Sequence, residues 1–218
     1  MMTSRTCIWS AAIAASAFLF TVAPAWADGG DRLSAEWWQH SVSIPSPQNP
    51  ILDESGTYCG IGQRGNMWFL HGTPGNPLGS PVVRECTVPA GQHFFVPILN
   101  YICTPFAGET IEDNIGFCAD AVDQIDLKVL TVDGKDRSKL IKRRVASDPF
   151  PIQVPAQNYL GFPAGVYDSV ADGYWAQLPP LPVGHHTIHF QGGITSWLLY
   201  VDVIYHIDVV EPGVVVFP

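Results

Sequence analysis

Residues 181–210 read LPVGHHTIHFQGGITSWLLYVDVIYHIDVV, and their alternation decides the fold. In a strand, successive side chains point to opposite faces. His186, Ile188 and Phe190 then share one face, as do Trp197, Leu199, Val201, Val203, Tyr205 and Ile207. That face is mostly apolar and reads as core. The other carries His185, Thr187 and His189, then Leu198, Tyr200, Asp202 and His206, and reads as half wet. Gly192-Gly193 marks a turn that would pair the two strands.

The approach to this pair, Leu181-Pro182-Val183-Gly184-His185-His186-Thr187-Ile188, resembles the L-x-x-G-x-Y corner that enters a late strand of immunoglobulin-like sandwiches, with His186 in the tyrosine position. Imidazole can also bond back to a backbone group, so the resemblance implies a structural His186. It concerns eight residues and an architecture, not an activity.

Upstream, strand-like runs occur at Met67–Leu70, Val82–Val88, His93–Leu99, Ile125–Val132, Leu140–Ala146, Pro151–Val154 and Gly173–Leu178. Val132-Asp133-Gly134-Lys135 is a hairpin signal. Residues 33–43 form the one helix candidate, capped by Ser34 and stopped by Pro45. Residues 45–65 and 100–120 read as irregular. The expected fold is mainly β: an antiparallel β-sandwich, immunoglobulin-like or jelly-roll-like, with one short N-terminal helix. Neither a repeat nor a composition shift divides residues 28–218, which read as a single domain.

Composition agrees. Among 218 residues there are 20 Gly and 19 Pro, 47% are hydrophobic and only 14% charged. Disordered chains, collagen and coiled coils are excluded. A formal charge of −9 argues against nucleic acid as a partner. Residues 1–27 read as a signal peptide: Arg5, the apolar run Ile8–Val22, then Ala25-Trp26-Ala27, with Asp28 as the first mature residue. The run falls short of the ~20 residues that span a bilayer. The expected location is secreted or periplasmic, with no membrane span after cleavage.

Cys59, Cys86, Cys103 and Cys118 then remain, an even number that implies two disulfides in an exported chain. Three connectivities are open. Cys59–Cys86 with Cys103–Cys118 is preferred, the second closing a segment rich in Thr, Glu, Asp and Asn. No CxxC spacing suggests zinc.

Several motifs dissolve on inspection. Gly60-Ile61-Gly62-Gln63-Arg64-Gly65 spells GxGxxG, but a strand-like run follows where a dinucleotide site needs a helix. It reads as a turn. His185 and His189 on one strand face would stand about 13 Å apart, too far to share a metal ion. Val88-Pro89-Ala90-Gly91 before His93 looks like a cupredoxin strand entry, yet the copper ligand set is missing. Seven basic residues between Lys128 and Arg144 read as a solvated hairpin, an anionic ligand being the sharper alternative. No cofactor or metal is expected, and no catalytic residue can be named.

The runs Cys59–Gly72 (CGIGQRGNMWFLHG), Arg84–Gly91 (RECTVPAG) with Phe94–Asn100, and Glu36-Trp37-Trp38 are similar to segments of a family of uncharacterised secreted bacterial proteins. The resemblance implies a bacterial exported protein and carries no activity. The expected function is a binding or envelope-associated module whose partner is a carbohydrate or another envelope component. The alternatives are a small polysaccharide hydrolase or lyase using carboxylate or histidine acid–base chemistry, and a structural subunit of an assembly. Glu36, Trp37, Arg64, His71 and His93 are the candidate ligand-binding residues. Glu36 lies beside two tryptophans that could raise its pKa, and an exposed tryptophan could stack on a sugar.

Overall fold

The computed structural model of the protein describes residues 29–105, 108–142 and 144–213. The expected signal peptide and cleavage site lie outside the described residues. In chain order the elements are α1 (Gly30–Ser43), β1 (Met67–Phe69), β2 (Val82–Pro89), β3 (His93–Cys103), α2 (Ile111–Asp123), β4 (Leu127–Val132), β5 (Lys135–Asp136), β6 (Val145–Ala146), β7 (Phe150–Val154), β8 (Gly165–Leu178), β9 (Gly184–Ile194) and β10 (Leu199–Val210).

The strands form two sheets. One has the order β1-β3-β8-β6, with β7 also on β8; the other runs β2-β10-β9-β4-β5. The sandwich with a short N-terminal helix is present, but its sheets are mixed. β1 pairs in parallel with β3, Met67 opposite His93, and β2 in parallel with β10, Val82 opposite Val203. Parallel neighbours need a crossover rather than a hairpin. Here β2 supplies it, leaving the first sheet after β1 for the second sheet before the chain returns as β3.

β9 and β10 pair antiparallel as read, Tyr205 opposite Ile188. Val201, Val203, Tyr205, Ile207, Ile188 and Phe190 enter the core between the sheets, meeting Phe94, Val96, Ile98, Ala176 and Leu178. The turn, however, lies at Thr195–Leu198 rather than at the glycine pair. A Cβ on Gly192 would stand 2.2 Å from the Ile98 carbonyl oxygen, so this glycine lets the two sheets approach. Trp197 therefore sits in the turn, 51% exposed, and not in the core.

The corner at His186 holds. Its Nε2 lies 2.9 Å from the Pro182 carbonyl oxygen and its Nδ1 2.9 Å from the Asp133 carboxylate. Burial opposes charging of this ring, but the bonds to Asp133 and Pro182 prevail and raise its pKa. Asp133 and Gly134, at φ 51° and 71°, make the expected hairpin turn.

α1 begins earlier than expected, at Gly30, so Ser34 lies inside it and donates to the Asp31 carbonyl instead of capping. Ile44, extended before Pro45, ends it. α1 packs Leu33, Trp37, Trp38 and Val42 on the outer face of the first sheet, against Phe95, Trp175 and the inward residues of β7. β3 is thus buried on both faces.

The irregular segment expected at 100–120 contains α2. Thr110 and Asp113 form a capping box, and Asn114, Cys118, Ala121 and Val122 recur at helical spacing on the buried side. The expected strand at 140–146 shortens to β6, because residues 138–140 turn in a 3-10 helix. The disulfides are Cys59–Cys86, joining the loop before β1 to β2, and Cys103–Cys118, tying α2 to β3.

Arg84 of β2 is buried, 1% exposed, with no carboxylate among the described residues paired to it. Its guanidinium donates to the carbonyls of Ile51, Asp53, His71 and Gly72 and to the Tyr205 hydroxyl. It ties the irregular segments around residues 51–53 and 71–72 to the core.

Candidate functional site

The helical period puts Arg32, Glu36, Gln39, His40 and Ser43 on one stripe of α1, opposite the stripe that packs. Strand register lays the facing floor. Phe69 of β1 lies opposite Phe95 of β3, which lies opposite Gln177 of β8, and Met67 lies opposite His93. Residues opposite one another share a sheet face. α1 covers this face only partly, and what remains is a cleft of about 680 Å³. Arg32, Glu36, Gln39 and His40 form one wall, Arg64, Gly65 and Asn66 the rim, and Met67, Phe69, His93 and Gln177 the floor.

Residues 60–65 form a turn leading into β1, as the failed dinucleotide motif suggests. Gln63 clamps that turn. Its amide donates to the carbonyls of Cys59 and Phe69 and accepts from the Phe69 N–H. The neighbouring Arg64 stands exposed at the rim, with no hydrogen-bond or ion-pair partner for its guanidinium among the described residues. Glu36 is engaged by Arg32 one turn earlier.

His40 lies between Phe69 and His71, with ring centroids at 5.5 and 5.4 Å, and close against Gly62. Burial, and secondarily the charge of Arg64, lowers its pKa to about 4. At neutral pH it is an uncharged imidazole whose Nε2 is buried and unpartnered. Gln177, 9% exposed, presents an unpartnered Oε1. The cleft therefore combines a free cation, a neutral imidazole, an amide oxygen and the apolar surfaces of Leu33, Met67 and Phe69.

Of the five expected residues, the fold brings Glu36, Arg64 and His93 together here from three separate segments. Two do not reach the cleft. His71 is fully buried behind His40, and burial, then His40 and Arg84, holds its pKa well below the usual range. Trp37, 2% exposed, faces inward, donates to the Leu70 carbonyl and packs on Trp175. His40 and Gln177 were missed. Helical spacing from Glu36 could have found His40, whereas only strand register reveals Gln177.

His185 pairs with Asp208 and His189 with Asp202, and no group of ligating side chains fit for a metal occurs among the described residues. Part of the basic run is also committed. Arg144 binds Asp123 and Asp172, and the Lys128 ammonium sits 4.2 Å from the Tyr174 ring centroid. Compared with family models, with curated proteins and with solved structures, the chain matches none.

Proposed function

We propose that the protein is an exported binding module and that the cleft beneath α1 takes a carbohydrate, preferentially one carrying a carboxylate. The observation that carries this reading is the unpaired Arg64 guanidinium, exposed at the rim of a cleft that His40 and Gln177 also line, with no partner for their Nε2 and Oε1 among the described residues. The volume is within the range of small-molecule sites, roughly 300–1,000 Å³. Phe69 and Met67 supply apolar surface for a sugar ring, and Arg64 supplies a cation suited to pair a carboxylate. Two disulfides fit an oxidising compartment, and no helix among the described residues is long and apolar enough to cross a membrane.

The cleft also places His40 and Glu36 together, which a hydrolase or lyase would need. Two facts favour binding instead. Among the described residues Glu36 is the only carboxylate lining the cleft, and Arg32 holds it. A histidine lowered to about 4 is a weak base at neutral pH, where a general base works best with a pKa near 7. Titration calorimetry with glucuronate and glucose tests the proposal. Glucuronate should bind more tightly, and Arg64→Met should weaken it about tenfold while leaving glucose unchanged. If the variant binds both sugars as wild type does, or wild type binds neither, the proposal is lost.

A further inference from the structure

Trp37 lines a second, smaller cavity of about 230 Å³. It is bounded by Trp37 and Trp38 of α1, the segment 72–74, residues 97–102 of β3, Tyr159, and Leu199 and Val201 of β10. Among the described residues, none that lines it is charged. Four buried polar atoms without a partner belong to residues that line it: Trp38 Nε1, Asn100 Oδ1, and the hydroxyls of Tyr101 and Tyr159. Trp38 is 8% exposed. Native interiors leave few such groups, because a buried polar atom without a partner is costly. Four on the lining residues of one cavity mark a space whose occupant, ligand or ordered water, would satisfy them.

Their chemistry defines a complement. The indole N–H only donates, the amide oxygen only accepts, and each tyrosine hydroxyl does both. Burial raises the pKa of both tyrosines, so they remain neutral. A charged ligand would find no counterion here. A cavity of roughly 150 Å³ admits benzene, so this one has room for a substituted ring. We propose that the cavity is a binding site for a small neutral single-ring molecule bearing a hydroxyl, of which a phenol is the simplest form. The ring lies among Trp38, Ile51, Ile98 and Leu99, and its hydroxyl both donates and accepts among the four polar atoms. The site is independent of the cleft, which Trp37 and Trp38 do not line.

Phenol and toluene, titrated into the disulfide-bonded chain and followed by tryptophan fluorescence and calorimetry, test this. Phenol should bind with the greater affinity. The double variant Tyr101→Phe, Tyr159→Phe removes only two hydroxyls and should fold as wild type does. It should lose about tenfold in phenol affinity, and its toluene affinity should not change. Equal phenol binding by variant and wild type would overturn the assignment, as would no phenol binding at millimolar concentration, which would leave a cavity for water only.

Discussion

His40 links folding to the cleft through a proton. The unfolded chain binds that proton below about pH 6.5, whereas the folded chain resists it until about 4. Between these values the unfolded state holds more protons, so stability is full above about 6.5 and falls as the pH drops toward 4. One such group contributes a slope approaching about 1.4 kcal/mol per pH unit. His71, lowered mainly by burial, acts with the same sign. His186 acts with the opposite sign: its raised pKa gives stability that is present below about 6.5 and is lost as pH rises through the folded value. Denaturant midpoints near pH 7 and pH 5 for wild type and His40→Gln separate these effects. The variant should lose clearly less stability over that interval. An identical loss would mean that His40 titrates normally in the folded protein.

At the scale of elements, the β9–β10 pair shows what alternation can and cannot reveal. It correctly assigns His189 and Asp202 to the face away from the core, but it says nothing of what covers that face. Asp202 is 1% exposed. Its carboxylate binds His189 and accepts from Gln191 and the Gly79 N–H, while Asn76 bonds its backbone from the loop above. His189 is accordingly a partner of a buried charge rather than a surface residue. His189→Ala should cost about 1–3 kcal/mol in a denaturant titration. His185→Ala, on an exposed ring, should cost less than about 0.5 kcal/mol. Similar costs for both would contradict the burial of Asp202. α2 was hidden for a related reason. Its polar residues read as loop, although Thr110 and Asp113 already spelled its capping box.

For the molecule as a whole, the layered plan was legible because each long strand carries its own alternation. Parallel pairing was not, since it depends on β2 crossing between sheets and leaves no local trace. The site was half legible. Aromatic neighbours singled out Glu36, with Arg64 and His93 named beside it, but their convergence depends on α1 packing on β6, β7 and β8 so that it borders β1 and β3. The same helix buries Trp37 and keeps His71 from the cleft. The account's central claim is that this junction of helix and sheet edge is where the protein meets its ligand. The most direct measurement is an amide-resolved magnetic-resonance titration of the disulfide-bonded chain with glucuronate. The account predicts progressive shifts at Arg64, Gly65, His93, Gln177 and the Glu36–His40 turn of α1, with α2 and the β4–β5 hairpin unmoved. Shifts confined to other surfaces, or none at saturating sugar, would contradict it.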